Sequence, residues 1–213
     1  MTAMDISEGS LAVARERCAL YGLDVDFVHA NATEAHRLFS GRRFDFLIFF
    51  ATLEHMTHDE RLAAMTTTWE MLSEGDFWCV IDTPNRLWFY DSHTSRLPFY
   101  HWLPDDVAFA YSRFSPRTKL SDRYRDKNEE EMLGFLRQGR GVSFHEFDLT
   151  MGSVKDLKIV SSLALFLRSQ NVLRRAAWQL STECRYAALL ASVEPRIHSG
   201  FYQQYLDLII QKG

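Results

Sequence analysis

The sequence has few of the features that mark a secreted or metal-cluster protein. It contains three cysteines in 213 residues, Cys18, Cys79 and Cys184, and none of them forms a C-x-x-C pair. A disulfide framework and a structural zinc site are therefore not expected, and a reducing, cytoplasmic location fits this cysteine usage. The chain begins Met-Thr-Ala-Met-Asp, without the basic and apolar regions of a signal peptide.

Long apolar runs and an excess of positive charge are also absent. No run of about 18 apolar residues occurs, so no membrane span is expected. The net charge of −4 provides no basic face for a nucleic acid, so neither a membrane nor a nucleic acid is expected as a partner. Hydrophobic residues make up 46% and charged residues 24%, which is typical of a globular domain, and we predict a single domain over residues 1–213.

Strand-like and helix-like segments alternate over the first 81 residues. Strands are predicted at 2–6, 25–29, 44–50 and 77–81. Helices are predicted between them, the first capped by Ser7 and ended by Gly22. The run 44–50 is almost entirely apolar, as in a central strand buried on both faces. This alternation predicts a doubly wound α/β fold with a mostly parallel sheet.

The pattern changes after residue 82. Residues 83–127 hold four of the five prolines and many aromatic residues, which indicates a long functional loop with short helices. Further on, the pattern predicts helices at 128–138, 154–168 and 172–191, a strand at 142–149 and an antiparallel C-terminal edge strand at 205–210. We expect 83–127 and 151–192 to form a cover on the substrate side.

Ligands of open parallel sheets bind beyond the carboxyl ends of the strands, so residues that follow the strands are site candidates. Asp5 ends the first strand and is suited to accept hydrogen bonds from ribose hydroxyls, although an acidic residue also stabilises a helix start. Asn31 follows the second strand, where its side chain would read an adenine edge or, more simply, form an Asx-turn.

The segments that follow the strands resemble those of a known enzyme family. The relevant residues are Asp5-Ile6-Ser7, Leu53-Glu54-His55, Thr83-Pro84-Asn85-Arg86, Asp91-Ser92-His93-Thr94 and His101-Trp102-Leu103-Pro104. In this order and spacing they resemble the class I S-adenosylmethionine-dependent methyltransferases, in particular a subgroup that acts on small molecules. The likeness covers residues 2–115 best.

This resemblance implies a cofactor, S-adenosylmethionine, a small-molecule substrate and a set of site residues. The implied cofactor-binding residues are Asp5, Ile6, Asn31, Ala32, Phe50 and Ala51, and the candidate catalytic residues are His55, His93 and His101. The histidines titrate in the range that a general base needs, which matters if the acceptor arrives protonated. Some relatives carry a further Glu three residues before the L-E-H glutamate and bind Mg²⁺ there. Ala51 occupies that position, so we predict no required metal.

The sequence departs from the family at its start. The family's first strand and the glycine-rich loop after it have no counterpart here, so the chain begins at the second strand. Glycine in that loop permits close backbone approach to the cofactor. Because the first strand normally lies at the centre of the sheet, a gap or exposed edge is expected, which favours self-association.

Two further interpretations remain open at this stage. A nicotinamide-dependent oxidoreductase would also place an acidic residue after a strand, although no Tyr-x-x-x-Lys pair is present. A catalytically impaired methyltransferase-like binding or assembly module would explain the missing loop. The aromatic residues between 88 and 102 would either cover a cationic sulfonium or form a small second core.

Overall fold

In the computed structural model, residues 1–125 and 128–213 are described. The strands are β1 (Thr2–Asp5), β2 (Asp26–His29), β3 (Phe46–Phe50), β4 (Phe77–Pro84), β5 (Lys158–Ser162) and β6 (Tyr205–Gln211). The helices are α1 (Glu8–Leu20), α2 (Ala35–Leu38), α3 (His58–Glu70), α4 (Asp105–Tyr111), α5 (Thr118–Ser121), α6 (Glu129–Leu136), α7 (Phe144–Met151), α8 (Leu163–Ser169), α9 (Val172–Gln179) and α10 (Thr182–Val193). The last two residues of the cover segment 83–127 lie outside the described part.

Side-chain caps fix where the two longest helices begin. The Ser7 hydroxyl accepts a hydrogen bond from the backbone N–H of Ser10 at the start of α1. At the start of α3, the side chains of Thr57 and Glu60 each accept from the other's backbone N–H. These caps satisfy N–H groups that the helix itself leaves unpaired, so both helices begin directly after a strand end or a site segment.

The strands form a mixed sheet in which three of four strands point the same way. Its order is β3-β4-β6-β5, with β3 parallel to β4 and β6 antiparallel to both β4 and β5. The predicted doubly wound, mostly parallel α/β fold is confirmed. The prediction of an edge position for the C-terminal strand is wrong, because β6 is antiparallel as expected but lies between β4 and β5.

Two segments have a different secondary structure from the one predicted. The predicted strand at 142–149 is helix α7, which begins with a reciprocal cap between Ser143 and Glu146. The predicted helix at 154–168 contains strand β5, whose Ile159 pairs with Ile210 of β6. In the segment 142–149, the helix cap outweighs an irregular alternation of apolar and polar residues. In the segment 154–168, pairing with the edge of β6 overrides a weak helical period, as tertiary context often does.

The main core surrounds β4 and β6. Trp78, Val80, Leu208 and Ile210 are buried there, and Phe147 from α7 meets the Trp78 ring edge-on. A second, smaller core lies under the segment 83–127; its buried residues are Leu97, Tyr100, Ala108, Phe109, Leu120 and Phe135. None of the helices in the described part of the chain has the length and hydropathy needed to cross a bilayer.

A gap separates β1 from β3. Strands β1 and β2 form their own parallel pair, and within the described residues no ladder joins this pair to the larger sheet. A cavity of about 530 Å³ lies between them, lined by Met1 and Thr2 at one edge and Asp45 and Phe46 at the other. The face of β3 that was predicted to be buried is open here: Phe46 is 51%, Ile48 59% and Phe50 62% exposed.

This open strand should make the 213-residue chain self-associate. Unpaired strand edges with apolar side chains favour pairing with another chain. We expect the average mass in sedimentation velocity to rise with protein concentration. Ile48→Lys should suppress that rise, whereas Val172→Lys, at an exposed apolar position on α9, should leave it unchanged. A monodisperse monomer at every concentration would contradict this prediction.

Candidate functional site

The carboxyl ends of β1, β2 and β3 converge on one cavity of about 310 Å³. Its lining residues are Met4, Asp5, Ile6, Ala30, Asn31, Ala32, Phe50, Ala51, Thr52, His55, Met56 and Arg137. All six residues implied as cofactor-binding therefore lie together, and so does His55. The candidate catalytic residues His93 and His101 do not line this cavity. We refer to it below as the β1–β3 cavity.

Asp5 presents a carboxylate to this cavity. One oxygen, Oδ1, accepts a hydrogen bond of 2.7 Å from the backbone N–H of Ser7, which fixes the side chain at the start of α1. The other oxygen has no hydrogen-bond partner among the described residues. A carboxylate held in this way can accept from a ligand hydroxyl without first giving up a protein contact.

The Asn31 side chain is engaged by the protein itself. Its Oδ1 accepts from the N–H of Thr33 at 3.0 Å and caps the short helical turn Ala32–Glu34. Its Nδ2 lies 3.5 Å from Glu60 Oε1. The Asx-turn interpretation of Asn31 thus describes its contacts, and any role toward a ligand falls to the backbone and to the neighbouring Ala32.

The backbone turns sharply where β3 ends. Ala51 has a φ of 44°, in the left-handed region that costs a non-glycine residue about 1–2 kcal/mol. Its N–H nevertheless donates to Ile81 of β4, and the Thr52 hydroxyl donates to the carbonyl of Phe50. Strained backbone of this kind concentrates at functional sites. Here the turn directs the chain away from the sheet and into Leu53–His55.

Three polar side chains meet just beyond this turn. Glu54 Oε1 lies 3.8 Å from His55 Nε2 and 3.9 Å from His93 Nε2. Glu54 is fully buried, and burial raises the pKa of its carboxyl group above the usual value. Burial likewise lowers the pKa of His93, which favours the neutral imidazole. His93 thus reaches the segment that follows β3 although it belongs to the loop after β4.

Comparison with known proteins agrees with this arrangement. Residues 1–75 match the family model described as "Methyltransferase domain". The matched part makes up about a third of the chain. No curated protein matches the chain.

Solved structures with the methyltransferase fold are similar to the chain at low sequence identity. PKMT2 from Rickettsia typhi is 10% identical, with 99% of this chain and 44% of that chain covered and a TM-score of 0.55. An O-methyltransferase family protein from Burkholderia thailandensis is 16% identical, with 75% and 40% covered and a TM-score of 0.43. A S-adenosylmethionine-dependent methyltransferase from Clostridium acetobutylicum is 17% identical, with 44% and 37% covered and a TM-score of 0.38. The chain spans less than half the length of each.

The predicted resemblance to class I S-adenosylmethionine-dependent methyltransferases is thereby confirmed. The family match lies on the part of the chain that contains β1, β2, β3 and most of the β1–β3 cavity. The cofactor predicted from the sequence, S-adenosylmethionine, agrees with this assignment.

His101, which lies outside the matched residues, is buried and contacts other parts of the protein. It is 2% exposed; its Nδ1 accepts from the N–H of Gly141 at 3.0 Å, and its Nε2 lies 3.2 Å from Asp91 Oδ1. Asp91 in turn accepts from the backbone N–H groups of His93 and Thr94. His101 therefore lies beside the carboxylate that holds the loop of His93, and it does not line the β1–β3 cavity.

The aromatic residues between 88 and 102 have separate locations. Tyr100 belongs to the second core, and Trp88 is buried against Tyr186. Trp102 is half-exposed and lines a different cavity of about 570 Å³, with Arg86, His58 and Tyr186. None of these aromatic residues lines the β1–β3 cavity, so within the described residues Phe50 is the one Phe, Tyr or Trp that lines it.

The 570 Å³ cavity contains a cation that the sequence interpretation did not single out. Arg86 is in none of the hydrogen bonds or ion pairs of the described side chains, and burial lowers its pKa. The cavity walls are largely apolar, from Leu87, Leu149 and Leu190. Unpaired and partly buried, this guanidinium is suited to an anionic group. The position of Arg86 shortly after β4 is the feature of the sequence that could have identified it as a site residue.

Proposed function

We propose that the chain binds S-adenosylmethionine in the β1–β3 cavity and transfers its methyl group to a small-molecule acceptor. The observation that carries the proposal is the convergence of Asp5, Phe50 and His55 on one cavity, in a chain whose first 75 residues match a methyltransferase domain. The bound cofactor would supply an electrophilic methyl group on a positively charged sulfur.

The residues of the cavity fit such a cofactor. The free oxygen of Asp5 would accept from ribose hydroxyls, as acidic residues do at this place in related folds. Ala32 and the backbone of Asn31 would flank the base. The exposed ring of Phe50 would attract the sulfonium, since the face of an aromatic ring favours a cation. The cavity, at about 310 Å³, lies at the lower end of the size range of ligand pockets.

His55 and His93 would serve the acceptor side. Methyl transfer depends mainly on alignment, and positioning alone can lower a barrier by up to about 7–11 kcal/mol. A hydroxyl acceptor must also lose a proton, which a neutral imidazole can take. His55 lines the cavity and His93 lies beside it, so both are within reach of the same small group.

The second cavity supports an acceptor of small size that carries an acidic group. His55 and Met56 line the β1–β3 cavity, whereas His58 lines the 570 Å³ cavity that contains Arg86. The two cavities therefore lie on either side of the segment 55–58. Arg86 would bind the anionic end of the acceptor, and Trp102 and Tyr186 would contact its apolar body.

Calorimetric titration with S-adenosylhomocysteine tests the proposal. Wild-type chain should bind it, and Asp5→Ala should bind about 10–100-fold more weakly, because hydrogen bonds to a charged group contribute about 1.5–3 kcal/mol. Asp24→Ala, at an exposed aspartate in the turn before β2, is the matched control and should bind like wild type.

The other outcomes would favour other functions. Tight NADH binding with no response to S-adenosylhomocysteine would favour the oxidoreductase. No binding of either ligand would favour a binding or assembly module. If Asp5→Ala bound as well as wild type, the ligand would lie elsewhere.

A further inference from the structure

The polar cluster beside the β1–β3 cavity has the composition of a metal site. It comprises Glu54, His55 and His93, and one ligand atom from each lies within 4.8 Å of the others. We propose that these three side chains bind one divalent transition-metal ion of the zinc type. The proposal concerns metal binding alone and does not rest on the proposed methyl transfer. With the ion bound, both Nε2 atoms are ligands, so the proton-accepting role proposed above applies to the metal-free chain.

The burial of Glu54 is otherwise unexplained. Its side chain is fully buried, and Oε1 has no hydrogen-bond partner among the residues that the structure describes, while Oε2 accepts from the Thr83 hydroxyl at 3.3 Å. A buried polar atom without a partner costs about 1–3 kcal/mol, and more for a charged group. A cation between Glu54 and the two imidazoles would remove that cost, since buried charges are normally paired or bound to metal.

Hydrogen bonds orient both imidazoles for coordination. His55 Nδ1 lies 3.0 Å from the carbonyl of Arg137, which can only accept, so Nδ1 carries the proton. His93 Nδ1 lies 3.0 Å from the hydroxyl of Thr94, and that hydroxyl itself donates to the carbonyl of Gln138. Both rings therefore present an unprotonated Nε2 to Glu54, which is the tautomer that a metal ligand needs.

The spacing of the three atoms fits one ion with little movement. Two sides of the triangle are 3.8 and 3.9 Å, and the third is at most 4.8 Å. A point equidistant from all three lies at most roughly 2.5 Å from each, against about 2.0–2.2 Å for zinc bonds to nitrogen and oxygen. Shifts of a few tenths of an ångström would close the site.

The donor set selects the type of metal. Two imidazole nitrogens and one carboxylate suit zinc and neighbouring transition metals, whereas Mg²⁺ and Ca²⁺ prefer oxygen ligands alone. Three protein ligands also leave a coordination position open, as catalytic zinc sites do. His55 lines the β1–β3 cavity, so the ion would be reached from there.

The sequence predicted no required metal because it showed only Glu54 and His55 as ligands, with Ala51 at the position of an additional glutamate. The third ligand, His93, comes from the loop after β4, where Asp91 holds its backbone N–H. Spacing along the chain could not reveal it, because the loop returns to the end of β3 only in the folded molecule.

Zinc titration of the full, chelator-treated chain tests the site. Calorimetry should give one equivalent of Zn²⁺, and Co²⁺ should give the visible absorption of a low-symmetry site. His93→Ala and Glu54→Gln should each weaken the affinity at least about 100-fold, as expected when one of three ligands is lost. Thr94→Val should weaken it about 10-fold through the orientation of His93, and Thr94→Ser should restore it.

His36→Ala removes an exposed histidine far from the cluster in sequence and should bind zinc like wild type. His55 and His93 are partly exposed, so their variants should remain folded, and thermal melts check this. Failure of wild type to bind one equivalent, or unchanged binding by both His93→Ala and Glu54→Gln, would overturn the proposal. Titrating the same samples with S-adenosylhomocysteine separates this result from the test of the proposed function.

Discussion

Replacing Arg61 with methionine is expected to lower the free energy of unfolding by about 3–5 kcal/mol, because it leaves a buried carboxylate without its partner. Arg61 on α3 is 3% exposed, and its Nη1 lies 2.5 Å from Oε1 of the equally buried Glu146 on α7. Its other donors bind the carbonyls of Leu53, Arg140 and Gly141. Urea unfolding followed by tryptophan fluorescence measures the change.

The double variant Arg61→Met/Glu146→Gln separates the charge from the packing. Glutamine keeps an oxygen that can accept from the N–H of Ser143, as Glu146 Oε2 does now, but it carries no charge. Much of the lost stability should therefore return in the double variant. Arg37→Ala breaks an exposed ion pair with Glu34 and should change little. A loss in Arg61→Met no larger than in Arg37→Ala would contradict the argument.

The part of the fold that follows local rules could be predicted from the sequence. Ser7 caps α1, Asn128 caps α6, and the apolar run before residue 50 forms β3. Each of these depends on residues within a few positions of one another. The order of segments then required a mostly parallel sheet. The same logic placed the six cofactor candidates at strand ends, and they do share one cavity.

Errors occurred where a distant partner decides the structure. The segment 158–162 has a weak helical period, but it pairs with β6 and so places that strand inside the sheet. Ile48 and Phe50 were expected to be buried by elements on both sides of the sheet. They are exposed because none of the strands in the described residues fills the gap between β1 and β3. A local pattern cannot reveal whether the covering element is present.

The polar part of the site depends on the same kind of distant contact. Glu54 and His55 are visible as a motif, but His93 reaches them only because the loop after β4 returns to the end of β3. Arg86 is one residue in a short turn, and that it has no ion pair with a described residue becomes evident only when its neighbours are known. Sequence therefore locates the part of this site at the strand ends better than the part that the loop after β4 supplies.

Asp91→Ala is expected to show this division between the two sides of the site. Asp91 is 2% exposed and accepts hydrogen bonds from the N–H groups of His93, Thr94 and Ser95 and from the Ser95 hydroxyl. Burial raises its pKa, but the His101 imidazole 3.2 Å away and the hydrogen bonds from the backbone more than offset this, so the pKa is lowered and the carboxylate stays charged. Removing it leaves several buried donors unpaired, which should cost about 3–5 kcal/mol in the free energy of unfolding.

The loss of ligand binding in Asp91→Ala should be confined to one side of the site. Without Asp91 the loop no longer holds His93 near Glu54, so zinc uptake should weaken by at least about 10-fold, as when the support of a metal ligand is removed. Asp5 and the rest of the β1–β3 cavity do not contact Asp91, so binding of S-adenosylhomocysteine should be retained below the melting range of the variant. Asp106→Ala, at an exposed aspartate in the first turn of α4, is the control and should resemble wild type in all three measurements. Equal losses of zinc and S-adenosylhomocysteine binding in folded Asp91→Ala would show that the two sides of the site are not separable. An unchanged free energy of unfolding would mean that the Asp91 carboxylate does not organise this loop.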